Sequence, residues 1–411
     1  MFSSMMGDQH RQDRAGSGFA GTLGSGLQWF SRMTLGLLVL AVLVSCGRVE
    51  VKDPKKYYER LYNIPSLPEK IEHPAETLNI LCWNDYFPED LFDVFEEIYG
   101  TKVQVEYFTN NEELREKYRQ DPEKWDLMMP SDYMVRQFIR EGYLIPLERS
   151  RLPRMEDLSP GMFELDCDPG LEYFVPVYQS SLGMSFEVQH MDGFPRHWDY
   201  LDKHTKNPYI YSRIALPDEM RFVFAVALLR LGLDPNTIDP AEIKQAEDYL
   251  VSLVRNFGAR IVGDEIVDPK VLKNYLLVLT WNGTGAYLLT ENPDYRFLIP
   301  EDKTILAVDG FVIPKDTKKA DTCYLFLDYL MTPRVLALLS ETSYYAPASQ
   351  MAQRYVNSFI LNGPSLMIPD IDNCLFMKDI GDAEAMYSAA WERVKAAKPS
   401  EHLNVIPLQR F

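Results

Sequence analysis

Six short stretches of the chain gather aromatic, acidic or small polar side chains. They are Trp83-Asn84-Asp85-Tyr86, Ser131-Asp132-Tyr133, Pro217-Asp218-Glu219, Trp281-Asn282-Gly283, Asp309 inside the apolar run TILAVDGFVIP, and Tyr344-Tyr345. Rings next to carboxylates suit a small organic cation. A carboxylate offsets the cost of desolvating an ammonium, and each ring face adds cation–π attraction of roughly 0.5–2 kcal/mol while covering methylenes. Every stretch also has a plainer explanation. A Trp or Tyr at a strand end commonly closes the rim of a core, and Asp218-Glu219 ahead of a helix complements its dipole. Asp309 is the exception, because a carboxylate within an apolar run needs a partner or a ligand. Together the six describe a cation site.

The elements that must position these residues alternate between strand and helix. TLNILCW (77–83) reads as a buried strand, and 88–99 as a helix with Leu91, Phe92, Phe95 and Ile98 on one face, stopped by Gly100. KVQVEYF (102–108) and WDLMMP (125–130) read as strands, with a helix from about Asp132. Further on, YFVPVY (173–178) is extended, RIAL (213–216) is a short strand and MRFVFAVALLRLG (220–232) an apolar helix. Helices are expected over 240–256, 269–280 and 383–397, and strands over 295–300 and 304–314. This alternation predicts α/β architecture with a parallel-rich sheet, and the length suits two lobes. In such sheets ligands bind beyond the carboxyl ends of the strands, which is where most of the six stretches fall.

The chain has 411 residues and a formal net charge of −18, with 46% apolar and 12% aromatic residues. The apolar content excludes disorder as the main theme. The acidity argues against nucleic acid, which needs a basic face, and favours a cationic partner. Cys82, Cys167, Cys323 and Cys374 lack zinc-type spacing, and His190, His197 and His204 are broken apart by Gly193 and Pro195, so no metal site is expected. Gly16-Ser17-Gly18-Phe19-Ala20-Gly21 is formally GxGxxG, but no strand precedes it, and it is set aside.

An apolar run over 33–45 follows Arg32 and is too short to span a bilayer as a helix, which takes about 20 residues. It has the length of a signal-peptide core. Leu43-Val44-Ser45-Cys46 resembles the bacterial lipobox, whose Cys is acylated and becomes the mature N-terminus. Residues 1–45 are therefore expected to be a signal peptide, Cys46 a lipidation site, and 46–76, with Pro54, Pro65, Pro68 and Pro74, a semi-extended tether.

Five segments, in order and nearly spanning the mature chain, carry a specific resemblance: TLNILCWNDYFPEDLFDVFEEIYGTKV, WDLMMPSDYMVRQFIREGYLIPLE, PDEMRFVFAVALLRLG with LDPNTIDPAEI, WNG, and VDGFVIPKDTKKADTCYLFLDYLMTP. They resemble the polyamine-binding proteins of bacterial spermidine/putrescine ABC importers. The resemblance implies a periplasmic-binding-protein type II fold, two α/β lobes joined by strand crossovers with the ligand in the cleft. One lobe would take 77–182 plus 309–352 and the other 183–308 plus 353–397, with 398–411 as a tail. It further implies a ligand site of Trp83, Asp85, Tyr86, Ser131, Tyr133, Glu219, Trp281, Asp309 and Tyr345. Asp309, Asp85 and Glu219 would be counter-ions, and the rings would line the methylene chain.

Three positions depart from the spermidine-type pattern: Phe222 where an acid is expected, Ala307 where a Trp is expected, and Met377 in place of a late Gln. The expected protein is a monomeric, lipid-anchored substrate-binding protein of the periplasm or cell envelope. It would deliver putrescine or spermidine to an inner-membrane ABC permease, with no cofactor and no catalysis. Two alternatives stay open: a ferric-ion or other cation binder of the same fold, using Tyr344-Tyr345, and a hydrolase using Asp218 and Glu219.

Overall fold

Strand β1 (Thr77–Trp83) buries Leu78, Ile80, Leu81 and Cys82, and pairs in parallel with β2 (Lys102–Phe108) from Thr77↔Lys102 to Trp83↔Phe108. On its other side lies β3 (Leu127–Met128), giving a three-stranded sheet of order β2-β1-β3. The computed structural model describes residues 54–401 except 65, 85, 192, 204–208, 368 and 370–372. The leader, Cys46, Asp85 and most of the C-terminal tail thus lie outside the described residues.

Helix α1 (Pro54–Leu61) packs against α2 (Glu89–Tyr99), and Ile64 and Leu67 are buried in the core. The segment from residue 54 onward is therefore docked rather than semi-extended. Its tyrosines explain this: Tyr58 stacks on Tyr62 at 6.1 Å and donates its hydroxyl to Glu97. Helix α2 ends at Gly100, whose φ of 79° a glycine adopts without a Cβ penalty. Helices α3 (Asn111–Gln120) and α4 (Asp132–Glu141) follow, α3 beside β2 and α4 beside the later strand β9.

A larger sheet is organised by β4 (Val175–Glu187), which is 13 residues long where only 173–178 was expected to be extended. Around it lie β5 (Ile214–Pro217), β6 (Arg260–Val262), β7 (Leu277–Trp281), β8 (Tyr295–Leu298), β9 (Thr304–Phe311), β10 (Ala346–Pro347) and β11 (Cys374–Phe376). The first half of β4 runs antiparallel to β9, from Val175↔Phe311 to Ser181↔Leu306. Its second half runs antiparallel to β7 and β8, with β5 parallel to β7 beyond. Single bridges Met128↔Val312 and Ser131↔Asp309 tie the small sheet to β9. Strands β4 and β9 thus carry the chain between the two α/β lobes. Where they pair, a Cβ on Gly310 would stand 2.2 Å from the Val175 carbonyl oxygen, so only glycine permits the approach.

Helices α5 (Met220–Leu231) and α6 (Pro240–Phe257) cover the second lobe, with α13 (Glu384–Ala396) packed on both. One expected helix is overturned. Residues 269–280 divide into a single turn, α7 (Pro269–Leu272), and strand β7. Leu276-Leu277-Val278-Leu279 is a short run buried on all sides, and apolar periodicity alone does not separate a central strand from a buried helix. Helix α8 (Asn282–Glu291) therefore begins where β7 ends, and Trp281 is a strand-end residue. Helices α9 (Ala320–Leu330), α10 (Pro333–Ser343), α11 (Gln350–Gln353) and α12 (Ser358–Asn362) complete the chain. Cys82, Cys167 and Cys323 are free and buried, and Cys374 is buried.

Candidate functional site

A cavity of about 590 Å³ lies between the lobes. Trp83, Tyr86, Ser131, Glu219, Trp281, Asp309 and Tyr345 all line it, seven of the nine residues expected at the site. Asp85 lies outside the described residues. Tyr133 is buried one layer behind, its ring edge-on to Phe222 at 5.9 Å, and Phe222 stands edge-on to Trp281 at 4.6 Å. Phe222 and Ala307 line the cavity, whereas Met377 is buried elsewhere.

Asp309 is only 4% exposed and sits near the end of β9, opposite Ser131 at the start of α4. Ser131 Oγ donates to Asp309 Oδ1 at 2.6 Å, and the Tyr86 hydroxyl donates to Oδ2 at 2.9 Å. Asn111 orients the serine: its Nδ2 donates to Ser131 Oγ and its Oδ1 accepts from the Ser131 amide, both at 3.0 Å. Burial pushes the Asp309 carboxyl up to about 6, and the two hydroxyl donors only partly oppose this.

Glu219 ends the β5–α5 connection, and both of its oxygens accept from Trp281 Nε1, at 3.0 and 3.2 Å. Enclosure pushes this carboxyl up to about 8 despite the indole donor, with Asp264, Asp309 and Glu112 adding like charge. Among the described lining residues there is no Lys or Arg. The described lining thus supplies neither acid with a cationic partner, and a cationic ligand would hold both ionised.

The walls are rings. Tyr86 lies 6.2 Å from Trp83, 5.1 Å from Tyr345 and edge-on to Tyr178 at 5.2 Å. Tyr345 is turned inward by Tyr344, which caps α10 in the left-handed region at φ 66°. Its carbonyl accepts from Ser340 Oγ at 2.7 Å, and its hydroxyl meets that of Thr284 at 3.0 Å. A Cβ at Gly283 would approach the Tyr345 ring to 2.5 Å. Gly283→Ala is therefore expected to displace this ring, weakening ligand binding about tenfold and lowering stability by about 1–3 kcal/mol. Calorimetry and thermal unfolding check both effects.

Strand-end reasoning left other lining residues unassigned: Thr109, Asp264, Glu265, Thr284 and Tyr287 also face the cavity, as does Asn84 of the first stretch. Asp264 and Glu265 follow β6, so the same rule finds them once the three-residue strand Arg260–Val262 is recognised. Asn84 Nδ2 donates to Asp264 Oδ2 at 3.3 Å, a direct contact across the cleft.

Both rival pairs, Asp218-Glu219 and Tyr344-Tyr345, line the same cavity, but each is divided between different partners. Asp218 accepts from Trp391 Nε1 at 3.0 Å while Glu219 faces Trp281, so the two carboxylates serve different partners. Tyr344 packs on Tyr287 and Phe359, whereas Tyr345 packs on Tyr86 and Tyr178. No group of three or more His, Cys, Asp or Glu able to hold a metal ion occurs among the described residues.

Two α/β lobes linked by crossing strands, with a polar and aromatic cavity between them, define a solute-binding protein of the periplasmic-binding-protein type. The chain belongs to the family of bacterial extracellular solute-binding proteins, whose family profile matches residues 90–359. It is 29% identical over 332 residues to the spermidine/putrescine-binding periplasmic protein 1 of Haemophilus influenzae, covering 79% of this chain and 90% of that one. It is 27% identical over 345 residues to the putrescine-binding periplasmic protein PotF of Escherichia coli, covering 79% and 92%. The solved spermidine/putrescine ABC transporter substrate-binding protein PotD of Streptococcus pneumoniae superposes with a TM-score of 0.66 at 27% identity. That alignment covers 79% of this chain and 99% of that one.

Proposed function

We propose that this chain is the substrate-binding protein of a polyamine ABC importer, capturing putrescine or spermidine in the cleft and delivering it to a permease. The observation that carries this reading is the pair Asp309 and Glu219, two enclosed carboxylates in a ring-lined cavity whose described lining holds no basic residue. A slender chain with an ammonium at each end supplies the missing charge, and its methylenes match the rings. The relatives' substrates support the same ligand class.

In this reading Asp309, Glu219 and Asp85 are counter-ions, Ser131 orients Asp309, and Trp83, Tyr86, Trp281 and Tyr345 cover the methylenes. Tyr133 supports the wall from behind Phe222. Binding and release are the whole activity, with no catalytic step. The lobes take 77–182 plus 309–352 and 183–308 plus 353–397, a division supported by the change of partner along β4 near residue 182. Residues 1–45 are a signal peptide and Cys46 carries lipid, which places a monomeric chain at the membrane surface of the cell envelope. The tether ends by residue 54 and the tail is 398–411.

Calorimetry with putrescine and spermidine in parallel tests the reading. Saturable heat with at least one amine supports it, and no heat with either overturns it. Loss of lipid label in Cys46→Ser would check the anchor separately.

A further inference from the structure

Behind the cavity wall, Asn111 opens α3, is 1% exposed and takes no part in the cavity lining. Its side chain meets Ser131 at two points, Nδ2 against Oγ and Oδ1 against the backbone amide, both at 3.0 Å. Asn110, just before it, caps α3 by accepting from the Glu113 amide, so the turn that carries Asn111 is itself held. Ser131 stands at the N-cap of α4, yet its side chain makes no cap bond, the role a serine ordinarily takes there. Its hydroxyl is committed instead between Asn111 and Asp309.

The two-point contact fixes the direction of every hydrogen bond in this chain of groups. A backbone N–H can only donate, so the amide atom facing it is Oδ1 and the atom facing Oγ is Nδ2. A serine hydroxyl has one hydrogen and two lone pairs. With Nδ2 donating to Oγ, that one hydrogen turns away from Asn111 and goes to Asp309 Oδ1 at 2.6 Å. The Tyr86 hydroxyl serves Oδ2 at 2.9 Å. Asp309 thus receives a hydrogen on each oxygen. A carboxylate accepts both, whereas a protonated carboxyl would set its own hydrogen against one of them.

The titratable groups that act on Asp309 from neighbouring elements are Tyr86 after β1, Asp132 on α4, Tyr178 on β4, Glu219 before α5 and Tyr345 after α10. None of these carries positive charge, and the Ser131 and Tyr86 hydroxyls are what favours the ionised carboxyl against burial.

We propose that Asn111 is a positioning residue for ligand capture: by gripping Ser131 at two points it makes the serine hydroxyl a fixed donor to Asp309 and so presents that carboxylate to an ammonium. The proposal rests on the reading of Asp309 as the ligand's counter-ion. Asn111, Ser131 and Asp309 all belong to the first lobe as divided above, so the relay does not depend on how the two lobes stand. A residue that never touches the ligand then sets affinity through the direction of one hydrogen bond.

The test uses the full chain as wild type, Asn111→Leu, Ser131→Ala, Ser131→Thr and the double variant Asn111→Leu/Ser131→Ala. Putrescine affinity is measured by calorimetry across the pH range of the two acids. The Asp309 carboxyl is titrated without ligand by carbon-13 NMR, its resonance assigned by loss in Asp309→Asn. Asn111→Leu, of similar volume, is expected to bind about tenfold more weakly at neutral pH. Its Asp309 titration should move up from about 6 by about one pH unit, while the Glu219 step stays in place. Ser131→Ala should do the same, and Ser131→Thr, which keeps the hydroxyl, should retain most of both properties. The double variant should be no weaker than Ser131→Ala, well short of the roughly hundredfold loss that independent effects would give.

An Asp309 titration unmoved in folded Asn111→Leu would overturn the relay, because a merely structural asparagine alters stability without shifting that carboxyl. So would a double variant weakened by the product of the two single losses. Should Asn111→Leu fail to fold, Asn111→Ala decides by the same readouts. Absence of putrescine and spermidine binding in wild type would overturn the functional reading instead, leaving the ligand-free titration to judge the relay.

Discussion

Asp309→Asn is expected to weaken putrescine binding by two to three orders of magnitude. The substitution keeps the volume of the side chain and removes its charge. In the folded protein this carboxylate is enclosed and accepts from Ser131 and Tyr86, so its position is fixed before a ligand arrives. An ammonium placed against it gains a charge-assisted hydrogen bond in a site with little water. Removing one partner of such a buried pair costs about 3–4 kcal/mol here, or roughly 10²–10³ in affinity. The amide also presents an N–H to hydroxyls that previously donated, which misaligns Tyr86. Stability should move the other way. The ligand-free variant no longer carries a carboxyl that is costly to ionise, so its thermal midpoint should equal or exceed that of wild type. Its shift on adding putrescine should vanish. A Kd within threefold of wild type would remove Asp309 from the site.

The second large effect concerns pH. Burial has pushed Glu219 up to about 8 and Asp309 up to about 6, and a bound diammonium stabilises the ionised form of both. Binding therefore expels protons, and affinity should climb as pH rises through these values. A fall on the order of a hundredfold is expected from pH 8 to pH 6 through Glu219, steepening below pH 6 as Asp309 protonates. At pH 7 about one proton should be released per ligand, mostly from Glu219, measurable as a dependence of calorimetric heat on buffer ionisation enthalpy. Glu219→Gln should abolish most of this release.

The ligand-free fold responds with the opposite sign. Both carboxyls hold protons more tightly folded than unfolded, so their contribution is complete below the ordinary carboxylate range and is lost as pH rises through about 6 and about 8. Thermal stabilisation by putrescine should consequently grow with pH over that interval. An affinity flat between pH 6 and pH 8 would contradict the enclosure of Glu219.

Local pattern proved informative where an element carries its own signal. The apolar core of β1, the one-sided face of α2 and its glycine stop are written within windows of seven to eleven residues. Asp309 stood out for a similarly local reason, a charge within an apolar run. Seven of the nine anticipated residues line one cavity because strand ends converge at the cleft of an α/β fold. The misses have equally definite causes. A helix was expected over 269–280 because Leu276 to Leu279 are apolar in succession, and a central strand buried on both faces shows no alternation. Asp264 and Glu265 escape the strand-end rule because the strand before them is three residues long.

From the sequence alone, then, came the family, the two-lobed α/β class and the chemistry of a cation site. These depend on residue types and short-range periodicity, together with the order of motifs along the chain. Only the tertiary structure decided that Tyr133 stands behind Phe222, that Asn84 reaches Asp264 across the cleft, and that Arg115 meets Glu384. The last two partners are separated by 180 and 269 positions along the chain. No local pattern encodes such a meeting, because it exists only after β4 and β9 have crossed and set one lobe against the other.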